Sequence, residues 1–181
     1  MVVPNKKIIG IFGGSFDPPH RGHLEISIIS LKKFKLKTVY WVITKKNPFK
    51  KKPFFSLKDR ILKSRRATKK IRKIKVLFVD DKIKSSRTIN VINHFIKVRK
   101  QKDLCLILGS DNLLSFHKWT SWKKIVKLVK LIVFSRRGYD KKGKESIVVK
   151  YLKNKNIIFL RNKLIDVSSS NIRKSRYQKN F

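Results

Sequence analysis

The sequence predicts an α/β protein: an open, mostly parallel sheet with helices on both faces. Three observations carry this. Short apolar runs rich in β-branched residues alternate with segments of helical spacing. Such alternation requires crossover connections and therefore parallel strands. Runs such as Leu104–Gly109 (LCLILG) are apolar throughout, as strands covered on both sides are. A polar or glycine-bearing cluster follows each run, at the strand ends where open α/β sheets hold ligands.

The elements follow in order. A first strand over Lys7–Phe12 runs into Gly13-Gly14, then a short loop, then a helix over 22–34 with Leu24, Ile28 and Leu31 at helical spacing. A second strand, Thr38–Thr44, precedes the polar Asn47–Lys50 and a helix over 57–71. A third, Lys75–Asp80, leads through Ser86–Thr88 into a helix over 88–100. The fourth, Leu104–Gly109, ends in Gly109–Asp111 and is followed by a helix over 119–130. The fifth, Leu131–Ser135, meets Arg136–Tyr139, and a helix over 144–153 comes next. The sixth, Asn156–Leu160, leads to Ser168–Arg173 and a short helix near 170–177. Lys45–Lys52 and Tyr139–Lys144 read as basic polar loops, because apolar patterning resumes directly after each. With no internal repeat, residues 1–181 read as a single domain.

Composition bounds the function classes. Hydrophobic residues make up 41% of the chain, which argues for a packed core. No apolar stretch approaches membrane-spanning length, and the N-terminus lacks the apolar region of a signal peptide. The lone Cys105 sits inside an apolar run and reads as a buried thiol in a reducing compartment, the cytoplasm. The net charge is extreme, 48 Lys+Arg against 10 Asp+Glu, or +38. Such a surface binds polyanions without sequence preference and loses them with salt. The lysines are dispersed rather than gathered in one arm, and alanine occurs once, at Ala67. Drift of an AT-biased genome accounts for this profile, so no specific nucleic-acid partner and no membrane partner are expected. A basic nucleic-acid-binding protein is the competing reading, but no motif of the usual kinds supports it.

Residues 11–23, IFGGSFDPPHRGH, carry the chemistry. Gly13 and Gly14 let the backbone approach a ligand closely. Gly22 and His23 open a helix, whose N-terminal N–H groups favour an anion. His20 and His23 can both point at that anion. The stretch resembles the nucleotidylyltransferase signature G-G-[ST]-F-D-P-x-H-x-G-H, with both histidines and both glycines present. That resemblance implies a Rossmann-like fold and phosphate chemistry at this turn. Near the C-terminus, VSSSNIRKS resembles the superfamily's I-S-S-T-x-[IL]-R, with Ser170 at the threonine position. Ser168 or Ser169 can cap the short helix, and Arg173 can offer a planar fork to phosphate oxygens.

Three further segments resemble bacterial nicotinate-nucleotide adenylyltransferases. NPFKKKPFFSLKDRILKSRRA is similar to their N-P-x-K…R-x-x-[ML] segment. LGSDNLLSFHKWTSWKKI is similar to G-A-D-N-L-x-x-F-H-x-W-x-x-W, and SRRGY stands where they carry R-P-G-Y. The resemblance implies adenylyl transfer from ATP to nicotinate mononucleotide. It implies His20, His23 and Arg173 as catalytic residues. The ATP site would comprise Gly13, Gly14, Ser15, Phe16, His20, His23, Gly109, Asp111, Ser168, Ser169, Ser170 and Arg173. Lys50, Thr88, Trp119 and Arg137 would meet the acceptor, with Trp119 as the ring-stacking residue and Trp122 as core. Mg²⁺ would arrive bound to ATP, no residue being assigned as its ligand, and Asp17 would brace the loop. Four positions depart from the family pattern: in S-Y-T-x-[DN]-T, here Ser86-Arg87-Thr88-Ile89-Asn90-Val91, Arg87 and Val91 replace the tyrosine and the second threonine, Thr120 follows Trp119, and Arg137 replaces the proline of R-P-G-Y. A phosphopantetheine or nicotinamide mononucleotide acceptor is the alternative within the superfamily.

Overall fold

In the computed structural model, residues 8–46 and 52–161 are described. They build a six-stranded sheet in the order β3-β2-β1-β4-β5-β6, and all five pairings are parallel. The strands are β1 (Ile9–Gly14), β2 (Thr38–Ile43), β3 (Ile74–Leu77), β4 (Leu104–Gly109), β5 (Lys130–Phe134) and β6 (Ile157–Leu160). Strand order reverses between β1 and β4, which opens a crevice there at the carboxyl edge.

Period-two side chains divide the core in two. From β4, Leu104, Leu106 and Leu108 face one way, with Ile92 and Phe95 of α4 (Thr88–Lys97), Ile125 of α6 (Trp122–Leu128) and Val148 of α8 (Ile147–Leu152). Cys105 and Ile107 face the other way, with Ile26 of α1 (Arg21–Lys33) and Ile61 of α2 (Leu57–Thr68). Helices therefore cover both faces. Burial pushes the Cys105 thiol up to about 12, so it stays an inert core thiol.

Five departures from the sequence reading concern where elements begin and end. Strand β1 continues through both glycines, because Gly13 and Gly14 still pair with Val42 and Ile43. The segment read as a basic loop over Tyr139–Lys144 is helix α7 (Asp140–Lys144). Its anchors are polar: Asp140 accepts from Ser110 Oγ at 2.7 Å and from Arg136 N–H at 2.9 Å. Asp80, read as the end of a strand, opens helix α3 (Asp80–Ile83), and α5 (Ser110–Ser115) extends directly from β4. The helix expected from residue 119 begins at Trp122, because Trp119 is extended at the end of a 3-10 turn over Phe116–Lys118.

Candidate active site

A cleft of about 1900 Å³ lies over the carboxyl ends of the central strands. Its floor is the turn after β1. Gly13 is exposed, and a Cβ there would meet no atom within 4 Å, so the space above it is open to a ligand. Phe16 has φ 47°, a left-handed conformation costly for an aromatic residue. Packing offsets the cost: its buried ring stacks on Trp41 with centroids 4.7 Å apart and meets His23 at 4.8 Å. Phe16 thus acts as a wedge that sets the His23 ring.

His20 and His23 stand at the mouth of α1 with ring centroids 3.8 Å apart. His20 is the N-cap residue, and its backbone N–H donates to His23 Nδ1 at 3.2 Å. Burial, helped by the nearby Arg136 charge, lowers the His20 pKa to about 4, so its imidazole is neutral near pH 7. Asp17 accepts from the backbone N–H groups of Phe54 and Phe55, each at 2.8 Å. It braces the loop as the sequence suggested.

The opposite wall comes from β4 and β5. A Cβ on Gly109 would meet Asp111 Oδ1 and crowd Arg136, so a larger residue here would displace both side chains from the cleft wall. Arg136 Nε lies 3.7 Å from Asp111 Oδ1, and both line the cleft. Burial works against the Asp140 carboxylate. Hydrogen bonds from Ser110, the Arg136 N–H and Ser135, with Lys144 nearby, nevertheless carry its pKa below the ordinary value. Thr88 opens α4 and lines the cleft, as do Trp119 and Thr120. Trp119 stacks on the buried Phe116 with centroids 4.6 Å apart, while Trp122 packs edge-on against Tyr151, away from the cleft.

Of the expected site residues, Gly13, Gly14, Ser15, Phe16, His20, His23, Thr88, Gly109, Asp111 and Trp119 share this one cleft. Arg137 is exposed and stands outside its lining, whereas its neighbour Arg136 is within it. Lys50, Ser168, Ser169, Ser170 and Arg173 lie outside the described residues.

Comparison with known proteins identifies the family. Residues 11–175 match the cytidylyltransferase-like family. The chain is 43% identical over 169 residues to a protein of Pelagibacter ubique named probable nicotinate-nucleotide adenylyltransferase, covering 93% of each chain. It belongs to the nicotinate-nucleotide adenylyltransferase family. A second member so named, from Aquifex aeolicus, is 35% identical over 164 residues, 88% of this chain and 98% of its own. Among solved structures, the Plasmodium falciparum nicotinic acid mononucleotide adenylyltransferase complexed with NaAD superposes with a TM-score of 0.74 at 18% identity. That match covers 93% of this chain and 83% of the other, and it shows the shared fold.

For a member of this family the sequence reading missed two charged residues beneath the site. Arg60, in the R-x-x-[ML]-like segment, is 2% exposed. Burial pulls its pKa down, against the opposing effect of Asp17 and Asp80. Asp80 is 4% exposed and sits at the start of α3. No apolar period marked either position: the buried face of α2 is Arg60, Ser64 and Thr68, and Asp80 stands in the first turn of α3.

Proposed function

We propose that this chain is a single-domain nicotinate-nucleotide adenylyltransferase, joining ATP and nicotinate mononucleotide to form nicotinate adenine dinucleotide and pyrophosphate. The observation that carries this reading is the convergence of two elements on one cleft. The paired histidines lie on its floor, and Thr88 and Trp119 lie on the wall reached from α4 and the 3-10 turn. The first suits a triphosphate; the second suits a flat ring carrying hydrogen-bonding groups.

In this reaction a 5′-phosphate oxygen of the acceptor attacks the α-phosphorus of ATP in line. The new P–O bond forms as the bond to the β-phosphate oxygen breaks, and pyrophosphate leaves with that electron pair. No covalent enzyme intermediate is needed, so the side chains align the groups and stabilise developing charge. His20, neutral near pH 7, acts as a hydrogen-bonding group rather than a cation. His23, with Nδ1 accepting from the chain, carries its proton on Nε2 and directs it to phosphate. Positive charge comes from Arg136, with Lys50 and Arg173 assigned the same role from sequence alone. Gly109 and Asp111 shape the adenosine side.

Mg²⁺ would enter with the nucleotide and would supply neutralisation of triphosphate charge, with no side chain assigned to hold it. The described residues contain no group of three metal-ligating side chains, and Asp17 is committed to Phe54 and Phe55. No helix among the described residues is long and apolar enough to cross a membrane. The cytoplasmic assignment rests on Cys105 alone, a free buried thiol of the kind kept in reducing compartments.

The deciding experiment incubates the protein with ATP and Mg²⁺ beside nicotinate mononucleotide, nicotinamide mononucleotide or phosphopantetheine, and measures pyrophosphate and the adenylylated product. Fastest conversion of nicotinate mononucleotide is expected. Preference for either other acceptor, or no transfer at all, would overturn the assignment.

A further inference from the structure

We propose that Arg60 and Asp80 clamp the exit of β2, and that Asp80, through Ser86, sets the Ser85–Thr88 loop against the glycine turn. Both are then positioning residues for the transfer, and the proposal rests on the adenylyltransferase reading above.

Arg60 binds backbone carbonyls of three separate segments. Its Nη1 donates to Ser15 and Thr44, each at 2.8 Å, its Nη2 to Lys45 at 3.3 Å and its Nε to Phe55 at 3.2 Å. Asp80 grips the same residues by their donors. Its Oδ2 accepts from Lys45 N–H at 2.7 Å and from Thr44 Oγ1 at 3.2 Å. Thr44–Lys45 is therefore held at its carbonyls by a cation and at its N–H and hydroxyl by an anion. The hold begins where the β1–β2 register ends, at Ile43.

The clamp connects two walls of the cleft. Thr44 N–H donates to Gly14 O at 3.0 Å, so the segment is tied to the glycine turn. On the other side Ser86 Oγ donates to Asp80 Oδ2 at 2.6 Å, two residues before Thr88 begins α4. Burying two charged side chains is costly unless their hydrogen bonds are largely met. Apolar packing would hold a sheet edge at less cost. What the charges add is a fixed spacing between backbone segments, which an in-line reaction needs.

The test compares wild type with Asp80→Ala, Asp80→Asn, Ser86→Ala and the double variant of the two alanines. Steady-state kinetics gives KM for ATP and for nicotinate mononucleotide, and hydrogen exchange follows peptides covering residues 84–91. Lys45 N–H, Thr44 Oγ1 and Ser86 Oγ all donate to the same oxygen, Oδ2, so an asparagine with its carbonyl oxygen there keeps the three bonds and alanine removes them together. In the alanine variant Arg60 still holds Thr44 and Lys45 by their carbonyls, while the Ser85–Thr88 loop loses its anchor. Asp80→Ala is expected to raise the acceptor KM about tenfold while the ATP KM stays within about twofold, and Asp80→Asn should recover most of the loss. Ser86→Ala should move the acceptor KM the same way by less, and the double variant should match Asp80→Ala. Amides of the Ser85–Thr88 loop should exchange faster in the alanine variants, with those of β1 and β4 unchanged. Equal rises for both substrates, additive effects or unchanged exchange in that loop would overturn the clamp. Should Asp80→Ala fail to fold, Ser86→Ala alone carries the same contrast. A wild-type protein that leaves nicotinate mononucleotide unconverted would sink the functional reading, while the exchange measurement would still decide the clamp.

Discussion

The backbone N–H of His20 donates to Nδ1 of His23 across 3.2 Å, so the second histidine of the motif caps the helix that the first one begins. A glutamate commonly fills this N3 position, reaching back to the N-cap amide. Here an imidazole does so, and the same bond fixes its tautomer. The proposed phosphate contact and the helix cap therefore reside in one ring, and a substitution can separate them.

His23→Asn keeps an acceptor near the place of Nδ1 and removes Nε2. It should fold with nearly unchanged Tm yet lose turnover by roughly 10²–10⁴-fold. His23→Ala should lose the same turnover and also about 1 kcal/mol of stability, through the missing cap. Activity and thermal denaturation of the two variants check this. Near-normal turnover in the asparagine variant would remove His23 from the mechanism.

His20 gives a pH dependence with a definite sign. Its pKa falls from 6.5 to about 4 on folding, so between those values the unfolded chain binds a proton that the native one refuses. Stability should therefore decline as pH drops through that window, and it should be fully present above it. His94, buried on α4 near Arg99 and Lys82, shifts in the same direction, burial being the main cause. Tm measured from pH 7 to 4 should fall less in His20→Gln than in wild type. An NMR titration showing His20 protonating near 6.5 in the native protein would contradict the burial argument.

Trp119 has one face on Phe116 and also borders the cleft. Trp119→Ala should raise the acceptor KM several-fold, since aromatic stacking contributes roughly 0.5–1.5 kcal/mol beyond burial. The ATP KM should change less, and Trp119→Phe should recover part of the loss. A rise confined to ATP would assign the ring to the adenine side. A collapse of Tm in both variants would leave Trp119 a packing residue only.

The charge of +38 predicts indiscriminate polyanion binding. Unrelated DNA and RNA sequences should bind with similar affinity, and log affinity should fall linearly with log salt. Adenylyl transfer should need no nucleic acid, and added DNA should only inhibit, by covering a cleft rimmed by Lys46, Lys52, Lys84, Arg87 and Lys118. Salt titrations run beside the enzyme assay test this. Sequence-selective binding near physiological salt without transfer activity would favour the binding-protein reading.

The alternation of six strands with helices and the placing of the double-histidine turn were legible in the sequence, because apolar runs and glycines report directly on sheet and turn; the order of strands in the sheet was not. Leu104–Gly109 was read with its observed limits. Helix α7 was not legible: Lys141, Lys142 and Lys144 carry no apolar period, and Gly143 instead packs closely on Ser110. The choice between Arg136 and Arg137 was equally hidden, since which neighbour faces the cleft depends on Asp140 fixing the Arg136 backbone. Arg60 and Asp80 escaped notice because composition makes a charged residue look solvated. Only the fold reveals that backbone polar groups surround them.

The sheet and the cleft walls are secured by different forces. Two apolar cores hold the strands, whereas Asp17, Asp80, Asp140 and Arg60 hold the loops through bonds that water can replace. The protein is therefore built in two tiers of stability. The upper tier can loosen while the lower persists, so mild denaturant removes the geometry for transfer before it removes the sheet. A nucleotide spanning both walls reverses that loosening by mass action. Occupancy should therefore protect the cleft walls from exchange more than it protects the sheet.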